Sequence, residues 1–121
     1  MKIRKTGVLS QINPEMKTNN ILLIKINFGH LQNAVDCSKV LLSEKLIACA
    51  NITECRSIYN WENVLTDEDE VVLSVKSTIN LKDKLILRIK ELHTYELPAV
   101  FISESEVNQE YFEWVLNCCN I

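Results

Sequence analysis

Glycine is scarce. Two in 121 residues leave little room for a glycine-rich phosphate loop, and no nucleophile motif or paired catalytic carboxylate accompanies them, so the sequence does not read as an enzyme. Positive charge is not in excess either. Thirteen basic residues stand against sixteen acidic ones, a net of −3, without the electrostatic footprint of a nucleic-acid binder. No apolar run approaches the roughly 20 residues that cross a bilayer. Lys2, Arg4 and Lys5 open the chain, but no apolar stretch or small-residue cleavage site follows, which argues against a secretory signal and for a cytoplasmic location. The five cysteines, Cys37, Cys49, Cys55, Cys118 and Cys119, are odd in number and contain no C-x-x-C pair. That pattern argues against a disulfide framework and against a structural zinc site.

What is present is ordinary for one globular domain: 47% hydrophobic and 24% charged residues, in a chain long enough to bury its own core. Residues 1–19 are polar, with turn signals at Asn13-Pro14 and Asn19-Asn20, and read as a loosely ordered N-terminal arm in which Met16 is a second candidate start. Residues 20–121 read as the domain. Its first strand, residues 21–27, is apolar at nearly every position, as suits burial on both sides. A helix over residues 31–48 follows, with Leu31, Ala34, Val35, Leu41, Leu42 and Leu46 on one stripe and Val40 and Ile47 on a second face.

The stretch that organises the rest is residues 44–62, whose first part ends the helix and whose second part lies in a long strand over residues 52–64 with Cys55, Ser57, Tyr59 and Trp61 on one face. The two aromatic rings then make a flat platform for core packing, an oligomer contact or a ligand. The acidic run 66–70 lacks the glycine and spacing of a calcium loop and reads as a solvated hairpin turn. A strand over 71–79 comes next, with Lys76 in its middle on the outward face. Asn80 and Asp83 then cap a second helix carrying Leu81, Leu85, Ile89 and Leu92. A strand over 99–103 and a short helix over 108–118 with Tyr111, Trp114 and Val115 close the chain. The order strand, helix, strand, strand, helix, strand is the split βαβ arrangement, an α+β ferredoxin-like sandwich with two helices on one face of an antiparallel sheet, plus a short C-terminal helix.

Several fragments in the right order resemble the CutA divalent-cation tolerance family over about residues 20–118. They are Glu44-Lys45-Leu46 with Ala48-Cys49 and Asn51-Ile52; Ser57-Ile58-Tyr59 with Trp61-Glu62; Glu70 with Lys76 and Thr78; His93 with Tyr95-Glu96 and Pro98; and Tyr111 with Trp114. The resemblance implies a tight homotrimer and a non-enzymatic role in tolerance of divalent metals, copper above all. It also implies likeness to PII signalling proteins, whose inter-subunit clefts take small ligands. A copper site proposed for some members would fall on Ile26, Leu92 and His93, where only His93 has a donor atom.

The candidate residues follow. His93, Cys118 and Cys119 are weak metal candidates, for copper or another divalent ion, beside the simpler reading of the two thiols as tail residues without a role. Glu62, Glu70, Lys76, His93, Tyr95 and Glu96 form either a polar network between subunits or a ligand cleft. Lys76 and His93 facing an open pocket favour the cleft; the same groups paired and buried favour the network. Tyr59, Trp61 and Trp114 are the expected oligomer contacts, and a further protein or small-molecule partner is left open.

Overall fold

A computed structural model describes residues 19–119, so the arm expected over residues 1–19 lies, apart from Asn19, outside the described residues. The elements are β1 (Asn20–Phe28), α1 (Leu31–Ser43), β2 (Cys49–Trp61), β3 (Val64–Ser77), a 3-10 turn (Ile79–Leu81), α2 (Lys82–Leu92), β4 (Val100–Glu106) and α3 (Gln109–Cys118). The strands form one antiparallel sheet in the order β2-β3-β1-β4, with β1 and β3 inside. This is the ferredoxin-like split βαβ architecture. None of the described helices is long and apolar enough to cross a membrane.

Alternation along the strands places the core. Leu22, Ile24, Ile26 and Phe28 of β1 pair with Ser77, Val75, Leu73 and Val71 of β3, and all eight are buried on the helix side of the sheet. Leu41, Leu85, Ile89 and Val115 reach them from the three helices. The buried stripe of α1 is Ala34, Cys37, Ser38 and Leu41, whereas the expected members Leu31 and Leu42 are exposed. The second apolar face expected on α1 does not exist, because Ile47 lies beyond the helix end and is itself core.

That early end has a local cause. Lys45 adopts φ 58°, its N–H donates to the Leu42 carbonyl at 3.1 Å, and the Leu46 N–H donates to the Leu41 carbonyl at 3.0 Å. These two bonds are a Schellman stop, with Leu46 folding back to bury beside Leu41. The position normally favours glycine, and lysine hides the signal. The Asn80 cap also fails: a 3-10 turn intervenes, α2 begins at Lys82, and no side chain caps it. Leu81 is 4% exposed, and burying it sets the entry to the helix.

The largest correction concerns the acidic run. Residues 66–70 are not a turn but part of β3, and the turn is Glu62-Asn63, with φ 49° and 66°. Two left-handed residues between Trp61 and Val64 make the tight connection whose twist suits a hairpin. The acidic side chains are split between two faces and matched across the ladder. Arg56 holds Asp67 through two bonds of 2.7 and 2.6 Å, and the Tyr59 hydroxyl donates to Glu68 at 2.6 Å. Because β1 pairs β3 only from Val71 onward, residues 55–61 and 64–70 stand beyond the sheet as a two-stranded arm. At ~3.3 Å per residue the arm extends roughly 20 Å.

Lys45→Gly removes the left-handed penalty of a side chain at the α1 stop. It is expected to raise stability by about 1 kcal/mol, read as a higher urea midpoint. An unchanged or lower midpoint would show that the lysine is not strained there.

Candidate functional site

Helices α1 and α2 cover one face of the sheet. On the other face, at the root of the arm, lies a cavity of about 570 Å³. Strand alternation aims Ser57, Tyr59 and Trp61 of β2 and Glu68 and Glu70 of β3 into it, and Asn27, Phe101 and the 95–97 connector complete its walls.

Glu70 sits at its base, 6% exposed. Burial alone pushes its carboxyl up, but hydrogen bonds from Ser57, Tyr95 and Asn27 outweigh this and hold it below the usual carboxylate value of 4.5. The Asn27 amide donates to one oxygen at 3.4 Å and the Tyr95 hydroxyl to the other. Tyr95 is positioned in turn by His93, whose Nδ1 accepts the Tyr95 backbone N–H at 2.9 Å. That bond leaves the ring proton on Nε2, which donates to the Asn27 carbonyl at 2.7 Å. Phe28 stacks on His93 with ring centroids 4.2 Å apart. Gly29 makes room for the set, since a Cβ there would lie 3.1 Å from the Tyr95 hydroxyl.

The expected polar set therefore divides within one chain. Glu70, His93 and Tyr95 are joined, and Glu96 is exposed in the same cavity wall. Glu62 is in the hairpin turn. Lys76 is six residues further along β3, where its ammonium donates to Asn51 at 2.6 Å. Tyr59 and Trp61 share the cavity, while Trp114 pairs with Tyr111 at 5.6 Å on α3 and packs against the core. Ser57 was placed on the face of Tyr59 and Trp61, whereas Asn27, Gly29, Glu68 and Phe101 were not among the candidates. Gly29 had a signal, being one of only two glycines in the chain; the others become visible only once the register is known.

The residues do not suit the three-ligand copper site. Ile26 is in the core and Leu92 offers no donor, and both nitrogens of His93 are committed to backbone groups. Cys119 is not an exposed tail thiol: it is 5% exposed, with its sulfur 3.7 Å from the Ser77 hydroxyl. Burial pushes both Cys118 and Cys119 up, away from the thiolate that a metal needs. Among the described residues no group of three or more His, Cys, Asp or Glu side chains is placed to hold a metal.

Glu70 gives a pH prediction. Its folded value is depressed, so its contribution is full above about 4.5 and is lost as pH falls through the lower folded value. Tyr95→Phe should cost roughly 1–3 kcal/mol near neutrality, and urea unfolding should show the gap to wild type narrowing in acid. A gap independent of pH would remove Glu70 as the cause. The three tyrosines should also resist ionisation at their usual value of 10. The hydrogen bond to Glu68 pushes Tyr59 up to about 12, burial pushes Tyr111 up to about 12, and burial with the Glu70 bond pushes Tyr95 higher still. Ultraviolet titration should show no phenolate near pH 10 in folded protein; one normal tyrosine would contradict the geometry.

Comparison with known proteins agrees with this architecture. The family model described as CutA1 divalent ion tolerance protein matches residues 22–118. The divalent-cation tolerance protein CutA of Pyrococcus horikoshii is 37% identical over 97 residues, 79% of this chain and 95% of that protein. The solved CutA1 of Ehrlichia chaffeensis superposes with a TM-score of 0.81 at 31% identity, covering 84% of this chain and 97% of that one. The protein described as PII-like CutA from Nostoc sp. PCC 7120 superposes at 0.76 with 28% identity, over 82% and 97% of the two chains. With nearly the whole described domain matched in sequence and in structure, the chain belongs to the CutA1 divalent ion tolerance family.

Proposed function

We propose that this protein serves in the tolerance of divalent metal ions, copper foremost, as a non-enzymatic homotrimer of the cytoplasm. The metal role rests on the relatives named for divalent-cation tolerance. The assembly rests on the arm. An isolated two-stranded ribbon is marginally stable in water. This one carries Ile58, Trp61, Val64 and Leu65 at exposures of 63%, 46%, 64% and 71%. Apolar side chains on both faces of a free ribbon call for another surface, and a second copy of the chain supplies it at equal concentration. A non-catalytic role is supported by the polar groups themselves, since Glu68 and Glu70 are each engaged by a phenol.

A second reading, a small-molecule sensor of PII type, has the cavity of about 570 Å³ in its favour. Lys76 and His93 do not favour it, because both are paired within the chain. A ligand there would be held by the aromatic and acidic walls instead.

Light scattering on micromolar protein should return three chain masses, and a stable folded monomer would end the assembly reading. Trp61→Ala is expected to loosen the trimer and to cost roughly 3 kcal/mol or more per chain. For the metal role, expression of the chain in a bacterium deleted for its own homologue should restore growth in excess copper. Failure to rescue, with the protein folded and present, would count against it.

A further inference from the structure

A groove of about 380 Å³ lies between α3, the 3-10 turn and the first residues of β1. This is the end of the sheet where β3 stops at Ser77, opposite to the end from which the hairpin arm projects. Ile21, Ile79, Phe112 and Leu116 line it. Phe112 and Leu116 are one helical turn apart on α3 and share a face, and Leu116 and Ile79 are 43% and 39% exposed. Thr78 lines the groove too. It is 6% exposed, and its hydroxyl finds no hydrogen-bond partner among the described residues. A polar group withdrawn from water without a partner is costly, and native structures satisfy nearly all of them. The apolar walls and the hydroxyl together call for an occupant that brings both side chains and polar backbone groups.

The chain itself supplies one. The Val107 N–H donates to the Asn19 carbonyl at 2.9 Å, which holds the chain beside the end of β4 just before β1 begins, and Asn20 lines the groove. Residues 1–18 therefore join the described domain at the mouth of the groove. Met16 is the nearest large apolar residue before Asn20, and at ~3.3 Å per residue at most roughly 13 Å of chain separates them. Charge agrees. The segment holds Lys2, Arg4, Lys5 and Lys17 against Glu15 alone, while acidic residues outnumber basic ones in the rest of the chain. No basic residue lines the groove, whereas Glu104 does, and Glu106 is opposite Asn20 in the β1–β4 pairing. Glu110 and Glu113 add carboxylates on α3 to either side of Phe112. A tethered segment meets such a surface at an effective concentration of order millimolar, which a free partner rarely matches.

We propose that residues 1–18 dock back on their own domain, with Met16 seated among Ile21, Ile79, Phe112 and Leu116 and Lys17 beside Glu104. The docked segment covers the side of α3 that the sheet leaves exposed. Met1 and Met16 are the chain's two methionines, so Met16 can be followed in the full-length protein. Peroxide oxidation read by mass spectrometry should convert Met16 to its sulfoxide several-fold more slowly than free N-acetylmethionine amide. With the methionine methyl groups carbon-13 labelled, the Met16 methyl should show nuclear Overhauser contacts to the Phe112 ring and the Leu116 methyls. Leu116→Glu should return oxidation to the free rate, and Glu104→Lys should speed it part of the way. Should Leu116→Glu fail to fold, the wild-type rate and contacts decide alone. Oxidation of wild-type Met16 at the free rate overturns the docking. Protection that survives Leu116→Glu, or methyl contacts to a different surface, overturns the assignment to this groove. In protein reassembled from a mixture of methionine-labelled and leucine-labelled chains, a Met16–Leu116 contact arises only when the segment crosses to a second copy. That contact overturns docking on its own chain.

Discussion

A carboxylate withdrawn from water must be met by donors, and at Glu70 they come from widely separated parts of the chain. Asn27 is the penultimate residue of β1, Glu70 belongs to β3, and Tyr95 lies in the connector after α2. Each bond therefore fixes one element against another at the level where β1 stops pairing with β3. Losing one donor leaves a buried charge short of partners, which costs more than a typical hydrogen bond contributes. The connector has no regular structure of its own to hold it. His93, clamped between the Asn27 carbonyl and the Tyr95 backbone N–H and stacked on Phe28, supplies that order.

Much of the fold was legible in the sequence because alternation and helical spacing are strong where one face is buried. β1 and the inner half of β3 are such places, and their core positions, Leu22, Ile24, Ile26, Val71, Leu73 and Val75, are found inside. The β3 half of the arm was not legible for the converse reason. Beyond the root at Glu70 neither face of the ribbon is buried within this chain, so its residues carry little contrast between inside and outside. A run of four acidic residues then outweighs the turn at Glu62-Asn63, which lacks the glycine that usually marks such a connection. The α1 stop fails in the same way, with Lys45 where glycine would have been read correctly.

Of the candidate site, the chemistry was visible in the residue types and the grouping was not. Glu70, His93 and Tyr95 meet because the connector folds back under the arm, while Lys76 shares the strand of Glu70 but bonds Asn51 at the opposite end of the face that carries the cavity. That face therefore has two polar poles, one acidic and aromatic, the other holding Lys76 and Asn51, with the part-buried Val72 and Ser74 between them. Membership of the CutA1 family describes the scaffold. The side chains at the two poles are what distinguish one possible occupant of the face from another.

The sheet order also carries a consequence for synthesis. β1, the strand richest in buried aliphatic side chains, has β3 and β4 as its neighbours, and both follow it in the chain. On the ribosome β1 emerges first. Its partner on one side ends only at Ser77 and its partner on the other only at Glu106. The β2–β3 hairpin, by contrast, closes through neighbouring residues and needs nothing from either end. A nascent chain of this protein thus carries an unpaired apolar strand with two open edges until β3 is made, and the interval before β4 leaves the exit tunnel is when it most needs shielding from other chains.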